Sequence, residues 1–236
     1  MYKFAIFALF ILSTELIYAD QRHYVWTYEY QIMERGKSEL EQYTTFKTID
    51  SDDPHNTTST ELNFELEIGM NDFFDFSIYQ VFTQNAGEGL KYSGFKLRSR
   101  FKIGEKNKFF IDPLIYLEYK GTAGFSDHEF ETKLILAKDI GNFNISFNPY
   151  LEISQESGNS EWEVEPKYAA GISYFLSDLF SFGIESTGSE SGIYAGPSIA
   201  HGHHNLWISA GALFGIGDID SGKPKYQVRC IIGVGL

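Results

Sequence analysis

Period-two alternation of apolar and polar residues runs through most of this chain, and it leaves few folds open. In the stretch from Thr60 to Gly69, Leu62, Phe64, Leu66 and Ile68 fall on one face, with Glu61, Asn63, Glu65 and Glu67 on the other, because successive strand side chains point to opposite sides. A turn at Met70-Asn71-Asp72 leads into Phe74-Asp75-Phe76-Ser77-Ile78-Tyr79, so the segment reads as a β-hairpin. The plan recurs downstream. Phe95, Leu97 and Phe101 alternate with Lys96, Arg98, Arg100 and Lys102, and Phe143, Ile145, Phe147, Leu151 and Ile153 alternate with Asn144, Ser146, Asn148, Tyr150 and Glu152. A soluble sandwich and a membrane barrel both use this alternation, in opposite senses.

The spacing of the turns separates them. Short turns near residues 71, 106, 140, 177 and 202 alternate with longer polar loops near 53, 88, 123, 157, 189 and 221, the asymmetry of a transmembrane barrel. From Ser38 onward about 12 strands of roughly 10 residues fit, the length a tilted strand needs to cross a bilayer. The polar stripe is also too charged for a dry core, where each unpaired ion costs several kcal/mol. The expected fold is all-β: a transmembrane antiparallel up-and-down β-barrel with short periplasmic turns and longer outer loops. Pro113, Pro149, Pro166 and Pro197 all fall on its apolar face, where each removes a ladder donor.

Three segments follow from this. Met1-Tyr2-Lys3, an apolar run from Phe4 to Leu12 and Ile17-Tyr18-Ala19 have the layout of a signal peptide, residues 1–19. Residues 20–37 are Tyr-rich, through Tyr24, Tyr28 and Tyr30 with Trp26. Counting them as a strand would make about 13, and such barrels favour even numbers. They are therefore expected to pack at the periplasmic mouth or to plug the lumen, leaving 38–236 as the barrel. Cys230 is the only cysteine, so no internal disulfide stabilises an exported chain; closing the sheet, which pairs every edge, does so instead. A net charge of −13 argues against nucleic acid as a partner, because acidic surfaces repel phosphates.

The run Glu34-Arg35-Gly36-Lys37-Ser38-Glu39-Leu40-Glu41-Gln42-Tyr43, the strand Phe95 to Phe101 and the strand Tyr194-Ala195-Gly196-Pro197-Ser198 resemble a family of uncharacterised bacterial outer-membrane barrels. More distantly the chain is similar to barrels associated with phenol-degradation pathways, a resemblance that implies passive passage of hydrophobic or aromatic compounds. It also implies outer-membrane localisation, contact with outer-membrane lipid and handling by the barrel-assembly machinery. One departure is the final residue: many such barrels end in Phe or Trp, read by that machinery, whereas this chain ends in Leu236.

The candidate functional residues are those of the inward stripe: Glu61, Glu65, Glu67, Asp75, Tyr79, Lys96, Arg98, Arg100, Lys102, Asp112, Tyr116, Glu118, Glu129, Glu131, Lys133, Tyr150, Glu152, Glu161, Glu163, Glu165 and Arg229. The basic ladder Lys96, Arg98, Arg100, Lys102 is either a track for anions or a set of cross-strand pairs with neighbours such as Asp75, Asp112 and Glu118. Glu161, Glu163 and Glu165, with Glu129 and Glu131, either favour cations at the outer mouth or are simply solvated. His201, His203 and His204 fall in one short turn with no carboxylate or Cys fixed beside them, so a plain turn is the simpler reading than a metal site, and no cofactor is expected. His55 and His128, near Asp52, Asp53, Ser126 and Asp127, are loop compositions whose spacing specifies no catalytic triad. The expected function is a narrow channel for passive passage of small solutes rather than an enzyme. The alternatives are a non-conducting structural or surface-interaction barrel and, less favoured, a lipid-modifying or proteolytic enzyme.

Overall fold

A computed structural model describes residues 21–159 and 161–236; the expected signal peptide lies outside the described residues. Twelve strands follow in chain order: β1 (Ser38–Thr48), β2 (Thr58–Asn71), β3 (Phe74–Gln84), β4 (Lys91–Lys102), β5 (Asp112–Thr122), β6 (His128–Ile140), β7 (Phe143–Gln155), β8 (Glu163–Ser177), β9 (Phe180–Ser189), β10 (Gly192–His203), β11 (Leu206–Ile216) and β12 (Tyr226–Gly235). One helical turn, Pro54–Thr57, lies between the first two. Each strand is hydrogen-bonded antiparallel to its neighbours in the chain, and β12 pairs with β1 from Glu39↔Gly235 to Thr48↔Tyr226, closing the barrel. The sheet closes on itself with no unpaired edge strand, the condition for crossing a bilayer.

The two faces have opposite chemistry. Leu40, Phe64, Ile78, Leu117, Phe147 and Ile184 point outward and are 39% to 66% exposed. Inside, Glu65, Asp75, Arg98, Asn148 and Glu185 are almost completely buried. Apolar outside and charged inside is the reverse of a soluble sandwich, and only a lipid solvent makes it stable. Outward aromatics gather at both ends of the wall. At the longer-loop end Phe95, Tyr119, Phe130 and Trp162 stand in ring contact at 5.1–5.9 Å, and at the other end Phe74 stacks on Phe101 at 4.7 Å and Phe143 meets Tyr174 edge-to-face at 4.9 Å. These are the girdles that mark the two interfaces of a membrane barrel.

The outward prolines have a common explanation in the register. Pro113 lies one residue before β5 begins to pair with β4, and Pro166 lies before β8 begins to pair with β9. Pro149 falls where the β6–β7 ladder skips from Tyr150 to Phe147, and Pro197 where the β10–β11 ladder skips from Ala195 to Ser198. In each case one of the two neighbouring ladders has no pair at the proline, so its missing N–H breaks nothing.

Three connections differ from the sequence-based expectation. The link between β4 and β5, residues 103–111, is longer than a tight turn because it folds across the barrel mouth: Tyr30 donates to the Gly104 carbonyl at 2.7 Å, and Lys106 pairs with Asp139 at 2.7 Å. At the opposite end, residues 190–191 make a short turn where a longer loop was expected, since β9 and β10 stay paired to Ser189↔Gly192. The histidine turn is displaced: β10 continues through His203, and the chain reverses at His204, whose φ is +57°.

Candidate functional site

The lumen is built from two kinds of wall. On β1 to β6 many inward positions are charged or aromatic, with Ser77, Val81, Leu114 and Ile135 among the exceptions. Arg98 on β4 reaches across the small Ser77 on β3 to β2, placing one guanidinium nitrogen 2.7 Å from Glu65 and 2.6 Å from Glu67, 2.7 Å from the Ser77 hydroxyl, and another 2.6 Å from the Tyr79 hydroxyl. Arg100 engages both Glu67 and Asp75, with Nε donating to Asp75 at 3.0 and 3.2 Å. Lys96 pairs with Glu118 at 3.0 Å, and Tyr116 donates to the same carboxylate at 2.8 Å. The basic ladder is therefore answered by carboxylates on strands up to two places away. Lys102 stands 5.6 Å from the Tyr30 ring centroid. Asp112 does not join the ladder: it accepts from the Asn107 N–H at 2.8 Å and faces Lys138 at 3.4 Å.

Residues 21–34 run inside this wall without forming a strand. They enter at the periplasmic end beside the β2–β3 turn, where Gly36 donates to the Gly69 carbonyl at 2.9 Å. Lacking strand neighbours, the segment takes its hydrogen bonds from barrel side chains, as buried backbone requires. The N–H groups of Val25, Trp26 and Thr27 all donate to the Glu185 carboxylate at 2.8 Å. Asn148 makes a reciprocal pair with Tyr28, accepting from its N–H at 2.6 Å and donating to its carbonyl at 3.0 Å. Met33 donates to Asp75 at 3.0 Å, Ser209 donates to the Arg22 carbonyl at 2.5 Å, and Arg229 donates to the Val25 carbonyl at 3.1 Å. Within the segment, both the ring and the N–H of His23 bond the Glu29 carboxylate at 2.8 Å, stapling residues 23–29 into a loop.

The wall from β8 to β12 is cut to receive that loop. A Cβ added at Gly171 would stand 2.5 Å from the Tyr24 ring, and one at Gly211 would stand 2.7 Å from Val25. Any side chain at either position would displace the segment. The Tyr24 hydroxyl completes the fit by donating to the Asn144 carbonyl at 2.8 Å. On the opposite side Arg22 lies 4.4 Å from the Tyr28 ring centroid and donates to the Tyr43 hydroxyl at 2.7 Å. Lys133 sits between the rings of Tyr28, Tyr116 and Tyr150 at 4.3–5.1 Å and pairs with Glu131 at 2.9 Å. Two spaces left beside the segment, one lined by Arg22, Glu41 and Arg100 and the other by Tyr30, Asp112 and Asn144, hold about 10 Å³ each, about one water.

The outer half of the lumen is open and carries alternating charge. Lys47 pairs with Glu61 at 2.9 Å, Lys120 with Glu129 at 2.9 Å, and Lys167 with Glu152 at 2.8 Å and Glu165 at 2.9 Å. A vestibule of about 460 Å³ lies among Lys120, His128, Glu129 and Glu152. Glu163 is exposed at the start of β8, where the strand projects past β9. Glu161 departs from the expected lumen position: it precedes β8 and is exposed in the loop, because the alternation that places it inward begins two residues later.

Several residues that shape the lumen carried weak sequence signals. Glu185 sits alone among Ser, Gly and Thr on a short strand, and Asn144 and Asn148 look like any polar alternation. Arg22 falls in the Tyr-rich segment that precedes the strands, and the inward Glu39, Glu41 and Tyr43 lie on β1, where Gln42 and Thr44 make the outward face polar too. Glu41, Glu65 and Glu67 bring carboxylate oxygens within 4.8 Å of one another, but Arg22, Arg98 and Arg100 supply the positive charge there. The histidines near acids do not form relays: His128 bonds the Tyr119 hydroxyl at 2.8 Å, Ser126 donates to Asp127 at 2.8 Å, and His55 faces Asn56 at 3.3 Å. His203 and His204 face each other, exposed, at 2.5 Å between Nδ1 atoms.

Comparison with solved structures places this architecture. An outer membrane channel from Pseudomonas putida F1 superposes with a TM-score of 0.64 at 10% identity, covering 90% of this chain and all of that one. The chain has the outer-membrane β-barrel fold. The KdgM porin, solved with oligogalacturonate, aligns at TM-score 0.58 and 7% identity over 84% of this chain and 97% of its own, and the NanC porin at 0.57 and 8% over 83% and 98%. No family model matches the chain, and the comparison with curated proteins found no match.

Proposed function

We propose that this barrel is an outer-membrane channel for passive passage of small solutes, held shut by residues 21–34. The observation that carries the reading is the division of the lumen. Its outer half is open and lined by solvated charge, whereas its inner half is filled by a segment that contributes no strand to the wall and joins it only through the chain at Gly36-Lys37. Removing that segment leaves the β1–β12 closure intact, since every pair of the wall lies outside it. The similar channel and porins support the reading at the level of fold. Inward carboxylates outnumber inward lysines and arginines, so the open lumen favours cations. Membrane lipid, the barrel-assembly machinery and small solutes are the partners this function implies.

The filled inner lumen also favours a second reading, a non-conducting barrel that works through its outer loops. One experiment separates the two. Full-length protein and a variant lacking residues 21–34 are refolded, checked for intact β-structure, and recorded in planar bilayers. The expected result is near silence from the full chain and steady cation-preferring conductance from the deletion. A folded deletion variant that stays silent across voltage and salt sinks the channel reading and leaves the surface barrel.

A further inference from the structure

We propose that Glu185 is the latch that holds residues 21–34 in the lumen, and that its carboxylate exchanges between two partners, the backbone of the segment when shut and lumen water when open. Four other buried carboxylates of this lumen lie against basic groups, Glu65 and Glu67 on Arg98, Asp75 on Arg100 and Glu118 on Lys96, and Glu39 accepts from the Trp207 indole of the wall at 2.9 Å. Glu185 is 1% exposed and has no ion pair among the described residues. Its charge is met instead by three consecutive N–H groups, Val25, Trp26 and Thr27, each at 2.8 Å. Successive N–H dipoles converging on one point form a concave anion site, and bonds to an ionised acceptor are about twice as strong as neutral ones. The His23–Glu29 staple holds the loop in the conformation that aims these donors together.

This arrangement is reversible where an ion pair with the wall would not be. When the segment leaves, no basic group is stranded at Glu185, and the carboxylate faces the aqueous lumen rather than a dry core. It then trades three N–H donors for water, an exchange whose net free energy is small compared with burying an unpaired charge. Glycine at positions 171 and 211 supplies the matching sockets on the same wall. The loop, the carboxylate and the sockets therefore make one docking unit spanning β8, β9 and β11.

The inference rests on the channel reading only for its conductance arm. Amide hydrogen exchange of residues 21–34 is measured by mass spectrometry on the refolded full chain, comparing the natural protein with Glu185→Gln, Glu185→Ala and, as a control at the outer mouth, Glu165→Gln. The expected result is exchange at residues 25–27 roughly tenfold faster in Glu185→Gln, as expected for losing a charge-assisted contact. It is faster again in Glu185→Ala, where added sodium acetate slows it by filling the vacated site. Glu165→Gln leaves it unchanged. Unaltered exchange in both Glu185 variants overturns the latch, and so does equal acceleration in the control or throughout the strands. In bilayers, Glu185 variants that stay shut while the deletion of residues 21–34 conducts also overturn it. A deletion variant that never conducts overturns the channel, and the exchange data still judge the latch.

Discussion

The two halves of the lumen wall solve the same problem by opposite means. From β1 to β6 the wall fills much of its own side of the lumen with large side chains, Arg98 and Arg100 spanning three strands and tyrosines packed between them, and residues 21–34 lie against that surface. From β8 to β12 the inward positions are largely Gly, Ala and Ser, such as Gly171, Ser198, Ala200, Ser209 and Gly211, and the space is filled by residues 21–34. A small barrel has room for side chains or one modest occupant, and here each wall takes one option. The charged wall is a permanent structure, and the small-residue wall is a socket.

The comparison breaks first, and most visibly, at Arg98. Its side chain is fully buried, and replacing it with Met takes the Arg98 ion pair from Glu65 and leaves Glu67 to share Arg100 with Asp75. Stripping one partner from a buried ion network costs about 3–5 kcal/mol, so Arg98→Met is expected to lower the urea midpoint of the refolded barrel sharply. Lys167 offers the contrast at the outer mouth, where its pairs with Glu152 and Glu165 are partly exposed. Lys167→Met is expected to cost about 1 kcal/mol or less. Equal losses would mean that the buried network is no more than a solvated stripe.

The socket wall is tested by filling it. Gly211→Leu places a side chain where Val25 now sits, and overpacking of that kind costs roughly 1–3 kcal/mol. Because the segment is not part of the wall, the strain is expected to expel the segment rather than unfold the barrel. The measurement is proteolysis at the segment combined with unfolding of the whole: faster cutting with an unchanged unfolding midpoint is the expected pair. A lowered midpoint with a protected segment would show that Gly211 serves the sheet and not the socket.

These two walls were not equally legible in the sequence. Strict alternation marked the strands from β2 onward, and the spacing of turns was enough for their number and for the sense of the two faces. It also placed the basic ladder inward, because four charges at period two have no other face to occupy. What alternation does not encode is partner choice: Arg98 finds Glu65 and Glu67 across an intervening strand, and only the small size of Ser77 permits it. The socket wall was harder still. Glycine on a strand reads as weakness or a bulge, and a lone Glu185 reads as one more polar position, until the segment that fills the space between them is seen. Loop lengths misled at residues 103–111 and 190–191, since the first folds over an occupied mouth and the second is shortened by pairing that continues to Ser189↔Gly192.

The smallest expected effect lies outside the membrane, at the loops above the charged wall. The Ser157 N–H donates to Asp127 at 2.7 Å, tying the β5–β6 loop to the β7–β8 loop, and Ser126 donates to the same carboxylate. These hydrogen bonds, chiefly the one from Ser157, hold the Asp127 carboxyl below its ordinary value. A depressed folded-state pKa means the tie is fully present above the usual aspartate range near 3.9 and is lost as pH falls through the lowered value. Asp127→Asn is therefore expected to loosen the two loops at neutral pH, seen as faster amide exchange at Ser157, with no change in the unfolding midpoint. Acidifying the natural protein below the aspartate range is expected to reproduce that loosening. If Asp127→Asn instead alters conductance of the barrel freed of residues 21–34, the outer loops are part of the solute path, and the division between a structural wall and a socket extends up to the mouth.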